Sequence, residues 1–197
     1  MELIIVRHGL PVRVETEDGT PADPPLSDEG KTQAERMARW LEREKIDRVY
    51  SSPMQRARET AEPLAARLGQ TALVEPGVAE FDQSSDTYVP LEELKRTEPE
   101  RWKSLMKSGW YGEFDPEVFR DTVVSTMERI ISDNPGGRIA VICHGGVINV
   151  WAAHVLEIPR ILFFQPHYTS INRFMASSRG HRSVVSLNES AHLVASR

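Results

Sequence analysis

The sequence predicts an α/β domain built on a parallel sheet that helices cover. Three observations lead there. Leu3-Ile4-Ile5-Val6 and Ile139-Ala140-Val141-Ile142-Cys143 are short apolar runs without polar alternation, the pattern of strands buried on both faces. Both runs end in histidine followed by glycine, at His8-Gly9 and at His144-Gly145. Segments with the 3.6-residue period of amphipathic helices lie between them, so strand and helix signals alternate.

The 197 residues suffice for one domain with a sizeable core, taken here as 1–197 without an interdomain linker. The formal net charge of -5 implies no general affinity for nucleic acid or anionic membrane, so any phosphate site needs a local cluster of cations. The single cysteine, Cys143, excludes an intrachain disulfide framework and a cysteine-rich zinc site. Leu3–Val6 is too short for a signal-peptide core and follows an acid, and no stretch is long enough to span a bilayer. A soluble, cytoplasmic protein is expected.

After the first strand, residues 11–25 read as a polar loop. Leu26-Ser27-Asp28-Glu29-Gly30 opens a helix reaching about residue 44, with Ser27 or Asp28 as the N-cap and Ala34, Met37, Ala38 and Leu41 as its apolar stripe. A second strand runs through Val49 and Tyr50 into Ser51-Ser52-Pro53, and Pro53 suits the start of a helix over 54–68. A short strand over 71–74 follows. Residues 91–107 read as one helix, and Ser108-Gly109-Trp110-Tyr111-Gly112 as an aromatic loop; the segment from about 83 to 114 is expected to be a cap or lid. A helix over 116–132 ends at Asn134-Pro135-Gly136-Gly137. Gly145 and Gly146 permit a tight turn into a helix over 147–156, and two final strands, near 170–175 and 184–187, suggest a hairpin.

The carboxyl ends of strands in an open α/β sheet are where ligands bind. A buried strand gains nothing from ending in Arg7-His8, and a second strand delivering His144 makes a site the stronger reading than two polar loop starts. Arg56 and Arg58 oppose the dipole of the helix they begin, which suggests an anion held there. The amides of Gly145 and Gly146 can face the same anion. Glu80, between Ala79 and Phe81, matters only if it faces the pocket of His8.

Arg7-His8-Gly9, Leu26-Ser27-Asp28-Glu29-Gly30 with Gln33-Ala34, Ser51-Ser52-Pro53 with Arg56-Ala57 and Thr60-Ala61, Glu80, and His144-Gly145-Gly146 together resemble the histidine phosphatase superfamily, in its larger, phosphoglycerate-mutase-like branch. Asn188 and His192 resemble that branch's C-terminal pattern. The resemblance implies a three-layer α/β/α sandwich whose sheet is mostly parallel with one antiparallel strand. It implies that His8 is the nucleophile that becomes phosphorylated, that Arg7, Arg56 and His144 surround the phosphoryl group, and that Glu80 is the proton donor, without metal or organic cofactor. Gly9, Arg13, Ser27, Gly145 and His167 are further candidates for contact with phosphate or substrate. The chemistry of the residues agrees. Neutral imidazole is a competent nucleophile near pH 7 when a backbone carbonyl holds its other nitrogen, and arginine supplies permanent charge to phosphoryl oxygens.

The chain departs from the family pattern at Leu10-Pro11-Val12-Arg13-Val14, where many members have Asn or Thr. Arg13 there either adds a cation to the pocket or points to solvent. Phe81-Asp82-Gln83-Ser84-Ser85 replaces the Gly-rich, Trp-containing segment of the mutases. His167, where relatives often have Asn, either touches substrate or makes a structural hydrogen bond. The leading expectation is a phosphomonoesterase acting on small phosphate esters through phosphohistidine. The alternatives are a phosphoglycerate-type mutase and a catalytically silent phosphate-binding module. Neither nucleic acid nor membrane is expected as partner; a homodimer is common in the family, though no stripe in this sequence demands one.

Overall fold

The computed structural model describes residues 1–108 and 115–194. In chain order its elements are β1 (Glu2–Arg7), β2 (Val14–Glu15), α1 (Asp28–Leu41), β3 (Arg48–Ser51), α2 (Gln55–Arg67), β4 (Leu73–Val74), β5 (Thr87–Tyr88), α3 (Leu91–Thr97), α4 (Pro99–Ser108), α5 (Pro116–Asp133), β6 (Arg138–Cys143), α6 (Gly145–Leu156), β7 (Ile171–Ala176) and β8 (Arg182–Glu189). Six strands form one sheet in the order β4-β3-β6-β1-β7-β8. Only β7 runs against its neighbours, β1 on one side and β8 on the other. The expected parallel sheet with one reversed strand and a C-terminal hairpin is therefore present.

The apolar runs form the central pair. β1 and β6 are parallel with Arg7 opposite Cys143, so the next residues, His8 and His144, leave the sheet side by side. Alternate side chains of these strands face opposite layers. Ile4, Val6, Ala140 and Ile142 pack with Met37, Ala38 and Leu41 of α1 and Ala57, Ala61 and Leu64 of α2. Leu3, Ile5, Ile139 and Val141 pack with Met127 and Ile130 of α5 and Ile148 and Trp151 of α6. This double burial is why the strand sequences show no polar alternation. Truncating a fully buried Met37 or Leu41 to alanine would cost about 2–5 kcal/mol.

Several element ends differ from expectation for local reasons. Ser27 caps α1, accepting from Gly30 N at 3.1 Å, while Asp28 is already helical; α1 stops at Leu41. α2 begins at Gln55, so Pro53 precedes the helix; Asp23 caps it from outside by accepting from Gln55 N at 2.9 Å. The single helix expected over 91–107 is two, because Pro99 disfavours helical backbone at Glu98, which takes φ -134° and ψ 60°. Gly145 and Gly146 are the first residues of α6 rather than a turn before it. The expected loop 11–25 contributes β2, which pairs with β5 through Val14–Tyr88 and Glu15–Thr87. Most of the expected aromatic loop, with Trp110 and Tyr111, lies outside the described residues. Among the described residues no helix is long and apolar enough to cross a membrane.

Candidate active site

The two histidines that leave the sheet together are both buried, with ring centroids 5.1 Å apart. His8 Nδ1 lies 2.7 Å from the carbonyl oxygen of Gly9. A carbonyl only accepts, so Nδ1 carries the proton and Nε2 keeps its lone pair. Burial, then the charges of Arg56 and Arg7, hold the His8 pKa well below its usual value. Burial, Arg56, His8 and Arg7 do the same to His144. Both rings are neutral at pH 7. His144 Nε2 is 2.7 Å from Ser52 Oγ, at the end of β3, and its buried Nδ1 has no hydrogen-bond partner among the described residues.

The arginines approach from two directions. Arg7, the last residue of β1, donates from Nη1 to Pro166 O at 2.7 Å, and its guanidinium carbon lies 3.8 Å from the ring centre of Tyr168. That tyrosine also packs on His8, at 5.7 Å between ring centres. Arg56, in the first turn of α2, is only 1 % exposed. Its Nη2 donates to Asp82 Oδ1 at 2.9 Å and its guanidinium carbon lies 4.5 Å from the Tyr88 ring centre. Among the described residues, the buried Nε and Nη1 of Arg56 have no hydrogen-bond partner. Buried charged donors left open are costly, and an arriving anion satisfies them. Arg58, two residues on, is exposed.

Glu80 does face this cluster. Its Oε2 accepts from Gly146 N, in the first turn of α6, at 2.8 Å, and Oε1 accepts from Phe81 N at 3.3 Å. A methyl on Gly146 would overlap that carboxylate, so it is glycine's bare α-carbon, and not an unusual φ, that lets the carboxylate come this close. Burial, followed by the charge of Asp82, raises the Glu80 pKa from 4.5 to about 7, against the Gly146 bond and Arg56, which lower it. A carboxyl so placed both gives and takes protons near neutral pH.

The second group of candidates serves largely to build the site. Gly9 N donates to Thr60 Oγ1 at 2.9 Å, and its bare α-carbon lets it press against the Gly30 backbone. Ser27 Oγ donates to Leu10 O at 2.8 Å as well as capping α1. Arg13 meets Glu93 at 3.5 Å and Glu98 at 3.8 Å, bracing the first loop against α3. Gly145 O accepts from Asn149 Nδ2 at 2.9 Å, and Gly145 stands close to Arg7. His167 is exposed, and its backbone N donates to Asn188 Oδ1 at 2.7 Å; its neighbour Tyr168 is the side chain turned to His8. Asn188 in turn donates from its own N to Asn172 Oδ1 at 2.8 Å, which fixes the 165–168 loop that holds Arg7. Asp82, Tyr168 and Ser52 were not singled out from sequence, although Asp82 is two residues from Glu80 and Tyr168 one from His167. Among the described residues no three His, Cys, Asp or Glu side chains are grouped to hold a metal ion.

The family model described as "Histidine phosphatase superfamily (branch 1)" matches residues 3–190. Phosphoglycerate mutase-like protein 4 of Arabidopsis thaliana is 32% identical over 156 residues, which cover 75% of this chain and 67% of the relative. A mutant phosphoserine phosphatase of Entamoeba histolytica, solved in complex with phosphoserine, superposes with a TM-score of 0.75 at 23% identity, covering 98% of this chain and 99% of the other. A mycobacterial glucosyl-3-phosphoglycerate phosphatase in complex with VO3 gives 0.77 at 19% identity, with 96% and 99% covered. Both structures share the fold, and the match to the family model spans nearly every described residue, from the strand that delivers His8 to the one that carries Asn188: the chain belongs to branch 1 of the histidine phosphatase superfamily.

Proposed function

We propose that the protein is a phosphomonoesterase for small phosphate esters, working through a phosphohistidine on His8. The observation that carries this reading is His8 with Nδ1 fixed on the Gly9 carbonyl, together with the buried Nε and Nη1 of Arg56, which have no hydrogen-bond partner among the described residues. In the first step Nε2 of His8 attacks phosphorus and the ester P–O bond breaks. Glu80 gives its proton to the departing alkoxide, while Arg7, Arg56 and His144 take up the charge on the phosphoryl oxygens. In the second step Glu80, now a carboxylate, takes a proton from water; the oxygen attacks phosphorus, the P–N bond breaks, and phosphate leaves with His8 and Glu80 restored. The residues need no metal for this charge balance. The segment from about 83 to 114 acts as a cap; its described part is tied to the first loop by Arg13 and by the β2–β5 pair.

Hydrolysis is favoured over mutase chemistry by what surrounds the arginines. A mutase must hold a bisphosphate, but Asp82 already occupies one nitrogen of Arg56, and Arg13 answers Glu15, Glu93 and Glu98. A second phosphate would meet carboxylates. The test is turnover of p-nitrophenyl phosphate, phosphoserine and a panel of sugar phosphates against conversion of 3-phosphoglycerate to 2-phosphoglycerate with the bisphosphate primer. Hydrolysis should exceed mutase turnover for at least one ester. Mutase efficiency above every hydrolysis rate would move the protein to that class, and inertness toward all substrates would leave a phosphate-binding module.

A further inference from the structure

Asp82 lies in the loop after Glu80, 26 % exposed, with its carboxylate on an arginine that is 1 % exposed. We propose that Asp82 is a positioning residue of the phosphoryl site: it holds Arg56 by one terminal nitrogen and so fixes how Nε and Nη1 meet the phosphoryl oxygens. This rests on the phosphatase reading above.

The geometry supports it from three sides. A buried arginine side chain loses several rotatable bonds' freedom on ordering, and something must fix it before the anion arrives. The guanidinium carbon lies over the Tyr88 ring, 4.5 Å from its centre, which blocks motion toward that side. The 2.9 Å bond from Nη2 to Asp82 ties down one end of the guanidinium and restrains its rotation. With one nitrogen engaged, the two others are left without partners among the described residues. Preorganised donors of this kind are worth most in the transition state, where they cost no reorganisation.

Asp82 has a second consequence through charge. The groups facing Glu80 are Gly146 N of α6, Arg56 of α2, the Cys143 thiol at the end of β6, and Asp82 and Phe81 N of its own loop. Asp82 is the like charge among them and resists ionisation of Glu80.

The experiment compares Asp82→Ala and Asp82→Asn with the wild type in equilibrium binding of inorganic phosphate and of vanadate, whose trigonal-bipyramidal form imitates the transferring phosphoryl group. Both anions feel the lost charge alike, so the ratio of their dissociation constants reads positioning. Asp82→Ala should lower the preference for vanadate by about tenfold or more, while Asp82→Asn, which keeps an oxygen acceptor for Arg56, should hold the preference near wild type. Both variants should move the alkaline limb of kcat/KM to lower pH. Circular dichroism confirms that each is folded. An unchanged ratio in Asp82→Ala, an Asp82→Asn as poor as Asp82→Ala, or a limb that stays in place in both overturns the proposal. Failure of the phosphatase reading looks different: the wild type would hydrolyse no ester while still preferring vanadate in an Asp82-dependent way.

Discussion

His8 Nδ1 and the carbonyl oxygen of Gly9 form a 2.7 Å hydrogen bond between adjacent residues. The acceptor is part of the same tight exit from β1, so the tautomer is set by the local backbone. Gly9 in turn is fixed by Thr60, whose hydroxyl accepts from Gly9 N and donates to Arg56 O at 2.7 Å. The backbone beside His8 and that of Arg56 are thus linked through one side chain.

Replacing His8 by alanine should remove the phosphoenzyme and nearly all turnover. Quenched wild-type reactions should contain an adduct that acid destroys and base spares. An His8→Ala protein that still forms this adduct at full rate would exclude His8 as the nucleophile.

Arg56→Ala should lower kcat/KM by on the order of 10²–10³, the usual cost of one preorganised charge-stabilising donor. Arg56→Lys should rescue little of it, because one ammonium cannot keep the Asp82 contact and also supply the donors of Nε and Nη1. Steady-state kinetics with phosphate inhibition would check both; a lysine variant near wild type would show that only charge matters there.

Chelation should leave turnover unchanged, since arginines supply the positive charge. Activity lost to EDTA and restored by a divalent ion would contradict this.

Much of the fold was legible because burial on both faces leaves an unmistakable mark: Leu3–Val6 and Ile139–Cys143 cannot be anything but interior strands once helices of matching period surround them. The same simplicity exposed His8 and His144, polar residues at the ends of apolar runs. What stayed hidden depends on pairing between distant segments. β2 and β5 are two residues each and exist only through each other. Arg13 could be a pocket cation or a solvated one until Glu93 and Glu98 were found beside it. Asp82 and Tyr168 carry no signal of their own, because their roles are defined by Arg56 and Arg7 arriving from other elements. The break between α3 and α4 was readable from Pro99, and the apolar points across it masked the break.

Gly146→Ala should damage activity more than stability. The added methyl falls on the Glu80 carboxylate, at the partly adjustable end of a side chain, so the carboxylate turns away and loses its bond to Gly146 N. That bond favours the ionised form, so its loss raises the Glu80 pKa further and should carry the alkaline limb of the pH profile upward. The measurement is kcat/KM against pH; a profile superimposable on wild type would show that Glu80 is not the titrating acid.

Glu80→Gln should slow the enzyme and stabilise it. In its proposed role as the acid, Glu80 matters most for poor leaving groups, so alkyl phosphates should lose on the order of 10²–10⁴ in rate and p-nitrophenyl phosphate much less. Wild-type turnover of alkyl esters should fall above pH about 7, where Glu80 loses its proton. Stability follows from the same titration. Between pH 4.5 and about 7 the folded protein keeps a proton that the unfolded chain has released. Stability therefore declines as pH rises through this window, by about 3 kcal/mol in total, and is flat above it. Glutamine has no proton to lose and keeps an oxygen for Gly146 N. The variant should equal wild type in thermal stability near pH 4.5 and exceed it by several degrees at pH 8. Melting curves at the two pH values decide it: a Glu80→Gln advantage that is the same at both, or absent at pH 8, would mean that Glu80 is ionised at little cost in the folded protein and is not the proton donor held ready for the leaving group.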